Sequence, residues 1–250
     1  MAAPGWREYL ADFHAGRAGI TEDLLGHTTD GGIDPYRWIT NQIDPADRVL
    51  DLACGSGPIS ALHPGPWFGM DISASELERA QARSPAQAAP LVLADAVALP
   101  FVPGSFDAVA CSMALMVIQP IDAALAEIAR VLRPGGRLVA LLPSAGPLHG
   151  GDVVRYGQLL VALRRRLTYP NDRALADATA LLAGAGLSPL SDERRRFECH
   201  VADPQTAALC VSSLYLPGAS PERLARAFAV TRGWVGQTLG VPLRLLVAER

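Results

Sequence analysis

The most informative stretch of the sequence is a glycine-rich turn directly after an apolar segment. Residues 49–57 read VLDLACGSG, in which Gly55 and Gly57 follow a run typical of a buried strand. Glycine has no Cβ, so the backbone of such a turn approaches a bound cofactor closely and bends sharply. The turn alone does not identify the cofactor, because a dinucleotide-binding turn has similar requirements.

Two acids follow later apolar segments and predict contacts with a nucleoside. Residues 68–73 read FGMDIS, which places Asp71 at a strand end, where both ribose hydroxyls would donate to its carboxylate. Residues 94–96 read ADA, which places Asp95 where it would accept from an adenine amino group. An NAD site does not require this second acid, so an NAD-dependent oxidoreductase is the disfavoured alternative.

The elements that position these acids alternate between strand and helix patterns. Apolar runs bounded by Gly or Pro predict strands over residues 48–53, 67–71, 90–94, 106–112 and 137–142. Residues 122–132 carry an apolar stripe at helical spacing, and an Arg-Pro-Gly-Gly turn ends the stripe. This alternation predicts a doubly wound α/β fold with a mostly parallel sheet and a ligand site at the carboxyl ends of its strands.

The glycine turn, the two acids and the RVLRPGG turn at residues 130–136 together resemble the class I S-adenosylmethionine-dependent methyltransferases that act on small molecules. The resemblance covers residues 48–142. It implies a Rossmann-like, seven-stranded sheet with a final antiparallel hairpin, S-adenosylmethionine as cofactor and S-adenosylhomocysteine as product. The cofactor-binding residues that it implies are Asp51, Ala53, Gly55, Gly57, Asp71, Ile72, Asp95, Ala96 and Ser112.

The chain departs from the pattern of this family at two places. Ala53 replaces the usual first glycine of the turn, and its small side chain leaves cofactor binding intact. Residues 58–64 are short and bounded by proline, so the helix between the first two strands lacks about one turn.

Sequence features that are absent narrow the reaction. The chain carries 22 basic residues, all arginine, which excludes a lysine Schiff base and a Walker-type phosphate lysine. The segment after residue 106 lacks the acid of metal-dependent catechol-type methyltransferases and the motifs of enzymes that methylate nucleic-acid bases. The net charge of −3 gives no reason to expect a nucleic-acid partner either. We therefore expect no metal, no nucleic acid and a small-molecule acceptor.

The implied reaction is transfer of a methyl group to an O, N or C nucleophile of a small, largely apolar metabolite. The alternative is a protein of the same fold that binds S-adenosylmethionine but catalyses a rearrangement or cyclisation, or only binds a partner. Methyl transfer needs a general base only where the nucleophile is protonated. His149 is the candidate base, and His14 and His27 are further candidates. The candidate acceptor-binding residues are Tyr36, Trp38, Met113, Met116 and Tyr156.

The remaining sequence suggests the organisation of the chain. Residues 1–42 predict a helical lid, or alternatively a helix pair packed on the sheet edge. Residues 43–250 predict the methyltransferase domain, with helical insertions after the fifth strand and before the last one. The four cysteines form no C-x-x-C pair, and no signal sequence or long apolar segment is visible. These features predict a cytoplasmic protein without membrane association, and a monomer or homodimer is expected.

Overall fold

A mostly parallel sheet organises the chain in the computed structural model, which describes residues 5–83 and 90–250. The described residues form eight strands. The strands are β1 (Thr28–Thr29), β2 (Val49–Leu52), β3 (Trp67–Asp71), β4 (Leu91–Leu93), β5 (Phe106–Ser112), β6 (Leu132–Pro143), β7 (Ser188–His200) and β8 (Thr238–Glu249). Their spatial order is β1-β7-β8-β6-β5-β2-β3-β4.

The pairing of the strands confirms the predicted sheet and adds one strand to it. Strand β2 pairs in parallel with β3 and β5, while β4 and β6 extend the parallel region on either side. Strand β8 pairs antiparallel with β6 and β7, which gives the expected final hairpin. The additional strand is β1, two residues that pair antiparallel with the outer edge of β7. It covers part of an edge that would otherwise expose unpaired backbone groups.

The helices of the described residues lie between the strands and at the N-terminus. They are α1 (Trp6–Arg17), α2 (Ile20–Leu25), α3 (Pro35–Thr40), α4 (Ala74–Arg83), α5 (Ile121–Val131), α6 (Gly150–Leu163), α7 (Asp172–Ala176), α8 (Ala178–Gly184), α9 (Pro204–Ser212) and α10 (Pro221–Arg232). Helix α5 buries Ala124, Leu125 and Ile128 on the stripe that the sequence predicted. None of the helices in the described part of the chain combines the length and the apolar composition that crossing a bilayer requires.

The connection between β2 and β3 contains only turns, which is shorter than the reduced helix expected there. The amide of Ser60 donates to the Gly57 carbonyl at 3.3 Å, and the amide of Leu62 donates to the Ile59 carbonyl at 2.9 Å. Proline lacks the N–H that would continue such a ladder, so Pro58 and Pro64 limit this segment to turns.

The apolar core lies on both faces of the sheet, as expected when parallel strands are buried on both sides. Leu50 and Val109 point into one cluster with α5, whereas Val49 and Ala108 point into the other. This alternation follows from the two-residue period of a strand. The second cluster also contains Leu25, Trp38 and Ile39, which are 0–1% exposed.

The N-terminal segment therefore divides into two structurally different parts. Helices α2 and α3 contribute Leu25, Trp38 and Ile39 to the second cluster, whereas α1 contributes Phe13 to the first cluster and otherwise packs half-buried side chains against it. Helices α6 to α10 follow β6 or connect β7 to β8. Helices α6, α9 and α10 enclose a third apolar cluster around Leu163, Val211 and Trp234, whereas α7 and α8 pack into the first cluster.

Candidate functional site

A cavity of about 670 Å³ lies at the carboxyl ends of β2, β3, β4 and β5. Its floor is formed by residues at these strand ends, and the N-terminal segment covers it. Residues 7, 10, 11, 14 and 15 of α1 line the cavity, and their spacing places them on one face of the helix. This is the edge of the sheet at which the sequence predicted a ligand site.

The glycine-rich turn forms one wall of the cavity in a left-handed conformation. Ala53, Gly55 and Gly57 have φ angles of 55°, 53° and 73°. Ala53 lines the cavity and carries the strain of a non-glycine residue in this region, on the order of 1–2 kcal/mol. Gly55 lines the cavity as well, but Gly57 does not. A Cβ on Gly57 would lie 3.3 Å from the Ala80 Cβ, so this glycine permits close packing of α4.

Asp71 is held at the end of β3 by two backbone amides. Its Oδ2 accepts from the amide of Gly55 at 2.9 Å, and its Oδ1 accepts from the amide of Ser73 at 2.8 Å. Burial raises the pKa of Asp71, while these two hydrogen bonds lower it in part. Each carboxylate oxygen has a further lone pair and Asp71 lines the cavity, which suits a pair of hydroxyl donors.

Asp51 lies below the turn and does not line the cavity. It is 1% exposed, and neither of its carboxylate oxygens has a hydrogen-bond partner among the residues that the structure describes. Burial raises the pKa of Asp51 well above its usual range, the indole of Trp67 lowers it in part, and the neighbouring Asp71 raises it further. An unsatisfied buried carboxyl is costly, and an ammonium group bound beside the turn would offset that cost.

The residues predicted to surround the adenine lie beside α1. Ile72, Asp95 and Ala96 all line the cavity. Asp95 accepts from the Val97 amide at 3.2 Å and forms an ion pair with Arg7 of α1. No local sequence pattern indicated this ion pair.

Of the residues predicted to lie near the transferred methyl group, only some line the cavity. Ser112 and Met113 line the cavity at the end of β5, where Met113 has a φ of 55° and its amide donates to the Leu141 carbonyl at 2.8 Å. Met116 is 2% exposed and belongs to the apolar core instead. The chain turns at Met113, so the two methionines point in different directions.

Of the three aromatic residues predicted to bind the acceptor, one lines the cavity. Tyr36 does so from α3. Trp38 is buried in the core, with its ring 5.5 Å from that of Phe197 and the guanidinium of Arg195 above it at 4.8 Å. Tyr156 packs in the third apolar cluster, where its hydroxyl donates to the Gly240 carbonyl at 3.0 Å. Trp38 and Tyr156 therefore lie outside the cavity.

The structure also places His149 outside the cavity. It is the exposed residue that precedes α6, and its backbone amide donates to Asp152 at 2.9 Å. Asp152 is buried and accepts from Arg196 Nε at 2.6 Å and from the Gly240 amide at 2.7 Å. Burial opposes its ionisation, but these hydrogen bonds hold the pKa of Asp152 well below its usual range. This pair of residues stabilises a helix terminus and does not face the cavity.

Three cavity residues with polar side chains lie together beside Asp71, and two of them were not predicted from the sequence. Glu76 of α4 and Tyr215 after α9 line the cavity together with His14 of α1. His14 contacts both of the other side chains. No local pattern marks Glu76 or Tyr215, because their proximity results from the packing of three distant segments. No group of three His, Cys, Asp or Glu side chains suited to a metal ion occurs among residues 5–83 and 90–250.

The described residues fit S-adenosylmethionine in their donor and acceptor chemistry. Asp71 offers two oxygens to a ribose, Asp95 offers an acceptor to an adenine amino group, and the unsatisfied Asp51 lies beside the predicted position of the cofactor's amino acid group. The left-handed turn at Gly55 permits the close backbone approach that this position requires.

Comparisons with known proteins agree with this fit. Residues 50–140 match a family described as "Methyltransferase domain". The chain is 41% identical over 146 residues to the demethylmenaquinone methyltransferase of Beutenbergia cavernae, a match that covers 55% of this chain and 58% of that protein. The chain spans about half the length of the curated relatives it matches.

Two solved structures share the fold across nearly the whole chain. The [4+2]-cyclase SpnF superposes with a TM-score of 0.64 at 19% identity, covering 99% of this chain and 97% of its own. The phosphoethanolamine N-methyltransferase 2 of Haemonchus contortus, solved with S-adenosylhomocysteine, superposes with a TM-score of 0.59 at 17% identity, covering 99% of this chain and 60% of its own. Residues 50–140 are therefore similar to the methyltransferase-domain family, and the chain shares the fold of these two solved structures.

Proposed function

We propose that the chain binds S-adenosylmethionine in the cavity at the strand ends and transfers its methyl group to a small, largely apolar acceptor of the quinone type. The observation that carries this proposal is the position of Asp71. Its carboxylate lines the cavity at the end of β3 and is oriented by the amides of Gly55 and Ser73. A fixed carboxylate of this kind selects a ligand that presents two adjacent hydroxyl groups.

In this proposal, residues at different strand ends bind different parts of the cofactor. Asp71 holds the ribose, while Asp95, Ala96 and Ile72 surround the adenine. The turn from Ala53 to Ser56 holds the amino acid group above Asp51, and Ser112 and Met113 lie near the transferred methyl group. S-adenosylmethionine supplies that methyl group on a sulfonium, which is already a strong electrophile. The chain therefore needs to align the acceptor, exclude water and remove a proton where the acceptor carries one.

The acceptor class rests on the lining of the cavity and on the named relative. Leu10, Met113, Ala114, Val117 and Ile118 offer an apolar wall on the side of α1 and the β5 end. An aromatic ring fits such a wall better than a charged metabolite does. The curated relative from Beutenbergia cavernae is named for a reaction on demethylmenaquinone, which contains such a ring.

We also propose that the lid is α1 alone and not the whole of residues 1–42. Its polar contacts with the rim are the Arg7–Asp95 ion pair and the 2.7 Å hydrogen bond from the Leu216 amide to the Tyr9 hydroxyl, and on its apolar face Phe13 is the one buried side chain. Helices α2 and α3 cannot move away without exposing Leu25 and Ile39. Opening of α1 would admit the cofactor, and closing would exclude water during transfer.

The test has two stages. Titration calorimetry with S-adenosylhomocysteine and with NAD in parallel should show binding of the first only. Incubation with S-adenosylmethionine and 1,4-naphthalenediol, kept reduced, should then release S-adenosylhomocysteine in proportion to methylated product. Binding of NAD would contradict the proposed cofactor. Product formed without release of S-adenosylhomocysteine would instead support the non-methylating alternative, a rearrangement or cyclisation.

A further inference from the structure

A chain of three hydrogen-bonded side chains crosses the cavity wall beside Asp71. Nδ1 of His14 lies 2.7 Å from Oε1 of Glu76, and Nε2 of His14 lies 3.1 Å from the Tyr215 hydroxyl. All three side chains line the cavity, so this series of hydrogen bonds reaches the space in which a bound acceptor would lie. The three residues come from α1, α4 and the segment after α9.

The hydrogen bonds around Glu76 define the tautomer of His14. The amide of Gly19 donates to both oxygens of Glu76, at 3.1 and 2.9 Å, so this carboxylate acts as an acceptor. The Nδ1–H of His14 therefore donates to Glu76, and Nε2 carries the free lone pair. That lone pair accepts from the Tyr215 hydroxyl. The arrangement makes Nε2 of His14 the basic atom of the chain.

Tyr215 is suited to pass a proton rather than to keep a charge. Burial raises the pKa of Tyr215 well above its ordinary value, and a hydrogen bond with Thr21 opposes this only in part. The hydroxyl is therefore protonated at neutral pH and donates to His14. The ring is held by Phe13, whose centroid lies 4.8 Å away in an edge-to-face arrangement, so the hydroxyl has a fixed position.

We propose that Tyr215 and His14 form a proton relay that deprotonates a hydroxyl of the acceptor during methyl transfer. This inference rests on the proposed function and deepens it, because it assigns the general base. The acceptor O–H bond breaks and its proton moves to the Tyr215 oxygen, while the Tyr215 proton moves to Nε2 of His14. The electron pair of the O–H bond stays on the acceptor, at oxygen or by resonance at the neighbouring ring carbon.

The nucleophile then forms a bond to the methyl carbon, and the S–CH₃ bond breaks with its electron pair left on sulfur. For attack through carbon, the ring loses the C–H proton as it regains aromaticity and the hydroxyl re-forms, so one proton is released in either case. The imidazolium on His14 forms next to the carboxylate of Glu76, with Asp71 on the same wall, and both charges favour it. His14 returns its proton to solvent when α1 opens.

The experiment compares two relay variants with matched controls. Tyr215→Phe removes the hydroxyl and keeps the ring, and His14→Gln keeps a donor to Glu76 but removes the base. The controls are Tyr169→Phe, at a tyrosine that packs beside Tyr215 but does not line the cavity, and His200→Gln, at an exposed histidine that ends β7. Each protein is titrated with S-adenosylhomocysteine and assayed with 1,4-naphthalenediol and with ring-halogenated analogues whose hydroxyls are more acidic.

We expect each relay variant to lower kcat for 1,4-naphthalenediol by about 100-fold or more, with little change in KM or in S-adenosylhomocysteine affinity. The loss should shrink steadily as the acceptor becomes more acidic, because an ionised acceptor needs no base. The double variant should lose no more than either single one. The controls should retain wild-type values.

Several outcomes would overturn the relay. One is a relay variant with wild-type kcat, and another is an equal loss at every acceptor acidity, which indicates a structural role. If a relay variant does not bind S-adenosylhomocysteine, Glu76→Gln is assayed in its place. A kcat of Glu76→Gln that does not rise with acceptor acidity again overturns the relay. A wild-type protein that binds S-adenosylhomocysteine but releases none with any of these acceptors refutes the proposed function itself.

Discussion

Replacing Asp71 with Asn gives the most direct test of the cofactor site. In the structure the carboxylate of Asp71 accepts two amides and retains one lone pair on each oxygen for a ribose. The variant removes the negative charge and turns one acceptor into a donor, which would face an N–H group. Charge-assisted hydrogen bonds contribute about 1.5–3 kcal/mol. The loss of this interaction should weaken S-adenosylhomocysteine binding by about 10- to 150-fold.

Calorimetry measures this change, and thermal unfolding of the same samples separates it from a loss of fold. Asp122→Asn is the control, because Asp122 is an exposed acid in the first turn of α5, away from the cavity. Its affinity should equal that of the wild type. If Asp71→Asn binds S-adenosylhomocysteine as tightly as the wild type while the melting temperature stays unchanged, the carboxylate does not hold the ribose, and the placement of the cofactor along β3 is wrong.

Three further predictions concern the buried acids and the lid. Because burial raises the pKa of Asp51 above its unfolded value, ionisation disfavours the folded state as the pH rises through that range. Asp51→Asn should therefore stabilise the cofactor-free protein, by about 1–3 kcal/mol at pH 8 and by little at pH 4, in denaturant titrations; equal effects at both pH values would contradict this. Asp152→Asn leaves Arg196 with only the exposed Glu198 as a charged partner and should cost about 1.5–3 kcal/mol at pH 7. The pKa of Asp152 is lowered in the folded state, so this contribution is full above the unfolded pKa of about 3.9 and is lost as the pH falls from there through the lower folded pKa; a stability difference that persists at the lowest pH would count against it. Deleting residues 1–18 should lower kcat strongly and the melting temperature only slightly, because α1 buries one large side chain; a fully active truncation would show that α1 is not a lid.

The sheet and the strand-end residues that line the cavity could be predicted because their information is local. Each strand of the parallel region is a short apolar run, and each carries its ligand-facing residue directly after it, as Asp71 follows residues 67–70. The carboxyl ends of parallel strands meet at one edge, so residues that are far apart in sequence lie together once the strand order is known. Asp71, Asp95 and Ser112 line the cavity for this reason.

The full length of β7 could not be predicted from the sequence, for a different physical reason. Strand β7 begins at Ser188, but its first half is mostly exposed and rich in charge, which hides the alternation typical of a strand. The arginines in it also do more than cover a solvated face. Arg196 is 11% exposed and pairs with Asp152, while Arg195 lies above Trp38. These partners are far away in sequence, so the pattern of charges gave no sign of them.

The acceptor end depends on a different kind of information, and this explains why the predicted base was misplaced. His149 follows β6 in sequence. A residue that follows a strand reaches the cavity only where the chain runs directly from the strand into it. Here it runs into the N-terminus of α6, whose first turn is buried against β8 through Asp152. The cavity instead receives His14 from a helix that precedes the sheet and Tyr215 from a segment inserted near its end. A cofactor shared by a whole family can be bound by residues at fixed strand ends, whereas an acceptor is recognised by whatever segments pack above them. Under the proposed function, acceptor specificity depends on how α1 and the segment after α9 pack against each other, so variants at His14 and Tyr215 should change the range of acceptors before they change the affinity for the cofactor.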